Sequence, residues 1–427
     1  MQDNDKEQIE RISGFAEKFS AISQYLNYKK FANEKHRILF LNARGWLSTE
    51  VINAIRLNGY EIQVIDIENL DVKRGRVSKE DYFGFHKVLI KGLLEFRPDC
   101  IFTINHAAFD TMGLLIRILE QFRIPCISWF VDSPIFIFED TEPQKSKYLH
   151  IFVWEKSFIK RLKELGFENV VYLPLATSKD FLNEKTISKN KIKKFTCDVA
   201  FVGASNTEDA DIMLEKGKFQ EEEMELSKRA IDYQIMHSDI EMRLILSELD
   251  NGSFSKLSEH RKILLECYSV LKATSNFRED VVSILSKNFN FKLFGDEIWN
   301  KMYPSHYFGK LDYYKEVHHL YKYAKIIVNT TSFQMNTAVN QRVYDTFLCD
   351  GFLVSDYRED YDILFGKNVI PVFRSTEEMV EIVQYYLEHE KERKEKIETI
   401  KSIIKSKHRY IYRVEELFLN MKKYYHE

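Results

Sequence analysis

The sequence predicts an α/β protein of two Rossmann-like domains, the second interrupted by a helical insertion. Three observations predict it. From Arg37 onward, short β-branched or aromatic runs alternate with segments of helical period, the pattern of a parallel sheet covered on both faces. The alternation starts twice, at RILFLNA (37–43) and at CDVAFVG (197–203). A chain of 427 residues also exceeds what one ordinary core holds.

The elements follow in order. Residues 1–34 read as amphipathic helix, with Ile9, Ile12, Phe15, Phe19, Ile22 and Leu26 at helical spacing. A first Rossmann-like domain spans 35–178. RILFLNA opens it, and STEVINAIRLNG is a helix with Ser48 or Thr49 as N-cap and Gly59 as stop. The strands EIQVIDI, CIFTIN, PCISWFVD, HIFVWE and VVYLPLA then alternate with helices. Residues 179–195 read as a lysine-rich connector. The second domain, 179–405, opens with CDVAFVG and breaks at once into a helical insertion of about 206–287. The α/β pattern resumes at FKLFG (291–295), continues through YFGKL, and ends with NVIPVF and a helix capped by Ser375 or Thr376. A last helix in 406–427 is expected to return to the first domain.

Composition bounds the function. Hydrophobic residues make up 44% and charged residues 30%, as in a soluble globular protein. Net charge is −3, so no basic field points to nucleic acid. The five cysteines are scattered and form no CxxC pair, which fits a reducing compartment. The charged N-terminus holds no signal-peptide core, and no apolar run approaches the ~18 residues of a membrane span. The expectation is a cytoplasmic protein, with peripheral membrane contact left open.

The stretch 326–356, IIVNTTSFQMNTAVNQRVYDTFLCDGFLVSD, is the most informative. It reads as buried strand, polar loop, helix, glycine stop at Gly351 and second strand. Open α/β sheets bind ligands beyond the carboxyl ends of their strands, where helix N-termini face anions. The acidic Asp345 stands inside this otherwise apolar helix, one turn after Arg342. The unit is suited to a phosphorylated ligand, with a carboxylate for sugar hydroxyls. A plain helix pair of Asp345 with Arg342 is the structural alternative.

The succession FVG (201–203), FG (294–295), FGKLDYYKEVHHLYKYAKIIVNTT (308–331), NQRVYDTFLCDGFLVSD (340–356) and HRYIYRV (408–414), with CIFTINH and WFVDSP earlier, resembles the CgeB-like group (spore maturation protein B-like) of family-1-type glycosyltransferases. The resemblance implies a GT-B fold, with two Rossmann-like domains facing a cleft, and transfer of a sugar from a nucleotide-sugar to a protein or cell-surface glycan. It implies no cofactor and no metal ion, with a UDP-sugar as default co-substrate. On the donor side it points to Asp345 for the ribose hydroxyls, and to Arg342 and Asn340 at the diphosphate. Tyr344 and Thr331 lie in the same motif, Gly203 in the first loop, and Phe294 and Gly295 where the base sits.

The acceptor base is then expected from the first domain, at strand ends. His106 and Asp132 are the candidates for it, and Arg44, Gly45, Asn105 and Glu155 are candidate sugar or acceptor contacts. His106 has an ordinary pKa suited to a base near neutrality. Many retaining relatives carry E-x7-E; with Asp345 as its second position, the first is Thr337. The helical insertion is the expected specificity element and route to the acceptor. A nucleotide-sugar epimerase of the same fold, or a silent nucleotide-sugar-binding scaffold, are the alternative readings.

Overall fold

The structure is a computed structural model describing residues 20–45, 47–67, 79–109, 113–138, 144–178 and 187–426. Ile9, Ile12, Phe15 and Phe19 lie outside them, as do residues 179–186 of the lysine-rich connector. The chain divides into two compact units. Unit 1 comprises Met1–Val153, Phe158–Leu173 and Val414–Glu427; unit 2 comprises Trp154–Ser157 and Pro174–Arg413.

Unit 1 runs β1 (Arg37–Asn42), α1 (Ser48–Leu57), β2 (Glu61–Asp66), α2 (Lys79–Phe96), β3 (Cys100–Ile104), α3 (Leu114–Phe122), β4 (Cys126–Phe130), α4 (Pro134–Ile137), β5 (Leu149–Val153), α5 (Ser157–Glu164) and β6 (Asn169–Tyr172). All neighbours pair parallel, in the order β2-β1-β3-β4-β5-β6. Strands β3, β4 and β5 are buried at every position, which is why they read as unbroken apolar runs rather than alternating ones. Before β1, residues 20–26 are helical. The Asp99 carboxylate then accepts from Phe31 N (2.7 Å) and Arg37 N (2.8 Å), fixing the entry to the sheet.

Unit 2 opens with α6 (Lys189–Phe195), inside the expected connector; Ser188 caps it by accepting from Lys191 N. Strand β7 (Cys197–Val202) follows, then four helices: α7 (Thr207–Gly217), α8 (Glu221–Met236), α9 (Met242–Glu248) and α10 (Glu259–Asn288). Helix α10 has 30 residues and so spans about 45 Å. Arg261 at its start grips Glu223 of α8 through two 2.6 Å bonds, and Ser269 meets Ser227 at 2.7 Å. The sheet resumes with β8 (Phe291–Phe294), α11 (Glu297–Met302), a π-helical turn (Tyr313–Val317), α12 (His318–Tyr323), β9 (Ala324–Asn329), α13 (Gln341–Leu348), β10 (Leu353–Asp356), α14 (Glu359–Phe365) and β11 (Val372–Phe373). Helices α15 (Thr376–Glu388) and α16 (Glu390–Lys407) follow, and α17 (Tyr410–His426) ends the chain, its residues from Val414 onward counted in unit 1. The parallel order is β11-β10-β9-β7-β8.

Several local expectations need correction. Leu47, not Ser48 or Thr49, stands at the N-cap of α1, with φ +76° and no side-chain cap. YFGKL forms no strand, only an isolated bridge of Tyr307 to Leu293. NVIPVF keeps two residues in β11. Gly351 does not supply the left-handed stop after α13; Asp350 does, with φ +62°. Gly351 is glycine for another reason: a Cβ there would lie 2.4 Å from the Tyr321 carbonyl oxygen.

Candidate functional site

In unit 2 the chain reverses direction across the sheet at β7, which has β8 on one side and β9 on the other. Such a switch point is where an open α/β sheet leaves a crevice at its carboxyl edge. The residues just past β7 and β9 therefore come first. Gly203 follows β7, and an ideal Cβ on it would stand 3.3 Å from a terminal nitrogen of Arg342. Asn329 closes β9, and its Oδ1 accepts from Asn340 Nδ2 (3.1 Å) and from the Arg342 guanidinium. Arg342 and Asn340 are thereby held at the start of α13, beside the first loop of the domain.

A second guanidinium arrives from the insertion. Arg278, on α10, donates to the Ala204 carbonyl oxygen (2.7 Å) and to Asn206 Oδ1. Burial, and next the positive charge of Arg342, push its pKa down to about 9, and the carboxylates of Asp356, Asp296 and Asp209 offset only part of that. Two cations drawn together in a half-dry setting repel unless an anion sits between them. The same neighbourhood holds polar atoms that are buried with no hydrogen-bond partner among the described residues: Arg278 Nε, Thr330 Oγ1 and Asn340 Oδ1. Each such atom costs about 1–3 kcal/mol until something meets it. The arrangement thus fits a ligand that is anionic and rich in donors and acceptors. Arg278 and Thr330 escaped the sequence reading. Arg278 lies in a helix of ordinary amphipathic pattern, and only the packing of α10 against the strand ends shows where it points.

The other donor-side candidates are internal. Asp345 is fully buried and accepts from Thr177 Oγ1 (2.6 Å) and Tyr313 Oη (2.7 Å), so the reading of an open ribose ligand is corrected. Its alternative, a pair with Arg342, does not form either; Arg342 turns to Asn329. Tyr344 is core, its ring 5.5 Å from Phe365 and 5.7 Å from His408. Phe294 is buried between Phe195 and Phe308, not poised for a base. Gly295 is glycine because a Cβ would come within 2.2 Å of the Gly203 carbonyl oxygen. Thr331 spends both its N–H and its hydroxyl on Asp356 Oδ1 (2.8 and 2.9 Å).

Glu155 is also taken up within unit 2. Its carboxylate accepts from Thr337 N and Ala338 N (2.9 Å each), Thr337 Oγ1 (2.8 Å) and Ser157 N (3.0 Å). That corrects its reading as a sugar or acceptor contact. It also places a carboxylate on Thr337, the residue that stands where the E-x7-E pattern has its first Glu.

Unit 1 presents the ends of β1, β3 and β4. His106 is buried, stacked on Phe109 at 4.0 Å and flanked by Phe130 and Phe138, with Nδ1 2.6 Å from Ser128 Oγ. Burial lowers its pKa to about 3, so the ring is neutral and enclosed, unlike the working base that the sequence suggested. Asp132 is different. It stands exposed after β4, held by Asn105 Nδ2 at 2.7 Å, while Asn105 Oδ1 accepts from Val131 N at 2.8 Å. Its carboxyl keeps solvent access but is crowded by surrounding chain, and that desolvation raises its pKa against the opposing Asn105 bond. Asn105, His106 and Ala108 all have positive φ (+53°, +57°, +71°), so this strand end holds strained backbone. Arg44 lies exposed after β1, paired with Asp66 at 3.3 Å, and among the described residues no atom beyond the chain neighbours lies within 4 Å of a Cβ on Gly45. Among the described residues no group of three or more His, Cys, Asp or Glu could hold a metal ion.

Residues 274–418 match the family model described as Glycosyl transferase-like, which covers less than half of the chain. No curated protein matches the sequence. Among solved structures the chain is similar to sucrose-phosphate synthase from Thermosynechococcus elongatus, with 7% identity and a TM-score of 0.53 over 92% of this chain and 99% of that one. It is also similar to Anabaena HepE in complex with UDP-glucose (8% identity, TM-score 0.47, covering 91% and 100%). A further likeness is to T4 phage BGT in complex with UDP and Mn2+ (11% identity, TM-score 0.46, covering 90% and 99%). The first of these likenesses shows the fold, GT-B with two Rossmann-like domains.

Proposed function

We propose that the chain is a glycosyltransferase that moves a sugar from a nucleotide-sugar, a UDP-sugar by default, to a protein or cell-surface glycan acceptor. The observation that carries this is the convergence of Arg278 and Arg342 at the β7/β9 switch point, beside unsatisfied buried polar atoms. Leaving diphosphate gathers negative charge as the glycosidic bond breaks, and fixed guanidinium groups stabilise that charge without reorganising. In this reading the arginines, not a metal ion, meet the diphosphate. Asn340, Thr330 and the backbone at Gly203 complete the donor contacts. The glycosyl transferase-like match over 274–418 and the GT-B fold support the class. The motif order across 308–356 favours the CgeB-like group within it.

In unit 1 we assign acceptor activation to Asp132. It is an exposed carboxylate of raised pKa, oriented by Asn105, with Arg44 and Gly45 as neighbouring-loop candidates for acceptor contact. All five cysteines are buried thiols outside any disulfide, which supports a reducing, cytoplasmic setting. No described helix is long and apolar enough to cross a membrane. A second reading is a silent nucleotide-sugar-binding scaffold; the internal placement of Asp345 favours it.

The test incubates the full chain with UDP-, GDP-, dTDP- and CMP-sugars, with and without EDTA, and measures nucleotide release. Release from one class, EDTA-insensitive and reduced at least tenfold by Asp132→Asn, is expected. Donor binding without release would favour the scaffold, and no binding of any donor would end both readings. Loss of release in EDTA would return the diphosphate charge to a metal.

A further inference from the structure

The insertion walls a cavity in unit 2, of about 500 Å³. That is within the range of about 300–1,000 Å³ typical of small-molecule sites. It lies beyond the carboxyl ends of three strands: Thr337 belongs to the loop after β9, Tyr357 and Glu359 follow β10, and Arg374 follows β11. The rest of the wall comes from the insertion, with Met236 and Asp239 at the end of α8 and Phe277 on α10. Thr337 also begins the stretch that leads to Asn340 and the arginine pair, so the cavity adjoins the donor loop.

Its lining has a definite chemistry. The rings of Phe277 and Phe333 lie 5.5 Å apart, giving an apolar wall. Tyr357 is a fixed platform. Its hydroxyl donates to Asp362 at 3.1 Å, and the Arg374 guanidinium stands 3.6 Å from its ring centre. Two exposed carboxylates, Asp239 and Glu359, line the cavity without a hydrogen bond or ion pair to the described residues. Asp356 and Arg358, also in the lining, neutralise each other at 2.9 Å. The free charge of the wall is thus negative overall, which disfavours an anion. Aromatic faces meet the C–H faces of a sugar ring, and unpaired carboxylates accept its hydroxyls.

We propose that this cavity is a saccharide site that holds a neutral sugar unit of the acceptor, with the helical insertion setting which one. The proposal rests on the glycosyltransferase reading for the identity of that sugar as acceptor. The cavity's chemistry stands without it. A cationic peptide also suits two carboxylates, but it has no use for the fixed rings or for a position beside the donor loop.

The test is direct binding by ligand-observed NMR and calorimetry, using the full chain and no donor. The probes are glucose, galactose, mannose, rhamnose, N-acetylglucosamine and maltose, with glucose 6-phosphate and trilysine as charged comparators. At least one neutral sugar should bind, and at least tenfold more tightly than glucose 6-phosphate or trilysine. Glu359→Gln and Tyr357→Leu should each weaken it at least fivefold while UDP binding and melting temperature stay at wild-type values. Glu359 is exposed, so its variant reads the site even if Tyr357→Leu unfolds. Failure of every neutral sugar, unchanged affinity in Glu359→Gln, or tighter binding of trilysine overturns the proposal. UDP binding measured in the same samples reports separately on the donor reading.

Discussion

Asp345 shows how a residue's identity and its use can part. An acidic residue in an apolar helix has to find donors, and here Thr177 and Tyr313 supply them, so the carboxylate is internal. Asp345→Ala removes the acceptor of the buried Thr177 hydroxyl and the half-buried Tyr313 hydroxyl, at about 1–3 kcal/mol. The expected result is a lowered melting temperature with donor affinity of the folded protein within about threefold of wild type. A ribose ligand would give the reverse, stable protein with lost affinity. His106 makes a second residue-scale case. Unfolded, its imidazole takes a proton near pH 6.5; folded, only near pH 3, because burial penalises the charge. The unfolded state therefore binds more protons between those values. The stability contribution is present above pH 6.5 and drains away as pH falls toward 3. Its slope is at most about 1.4 kcal/mol per pH unit. His106→Asn should give a flatter melting profile between pH 6.5 and 4.5, measured by calorimetry. An unchanged slope would mean that the imidazole is not buried neutral.

At the scale of elements, the loops after β7 and β8 are pressed together through two glycines. Gly203 carbonyl oxygen accepts from Trp299 Nε1 at 2.9 Å and lies where a Cβ on Gly295 would be. Gly295→Ala must push the two loops apart, an overpacking cost of about 1–3 kcal/mol. It should lower the melting temperature and shift the Trp299 fluorescence, whereas Gly45→Ala, with open space around it, should do neither. The strands and the helical character of the insertion were legible because apolar runs and helical periods are local signals. What stayed hidden depends on packing across the chain. Leu47 caps α1 by its backbone conformation, β11 shrinks to two residues, and YFGKL pairs through a single bridge. The same limit applies to the site. Arg342, Asn340 and Gly203 were proposed from motif order, but Arg278 is brought in by a helix some sixty residues upstream, and no spacing rule in the sequence announces it.

For the whole molecule, the fold is GT-B, and the proposed function has one inserted helix complete the anion site of the donor domain. A donor that binds only the folded state stabilises it by about 2.7 kcal/mol at one hundred times its dissociation constant. Melting curves with saturating UDP should therefore rise by several degrees, and the rise should vanish in the Arg278→Gln, Arg342→Gln double variant. The most direct measurement compares UDP with uridine by calorimetry, because the two ligands differ only in the diphosphate. The account requires UDP to bind at least tenfold more tightly to the wild-type chain, and that advantage to collapse in Arg278→Gln. Equal binding of UDP and uridine, or an advantage that survives Arg278→Gln and Arg342→Gln together, would contradict it.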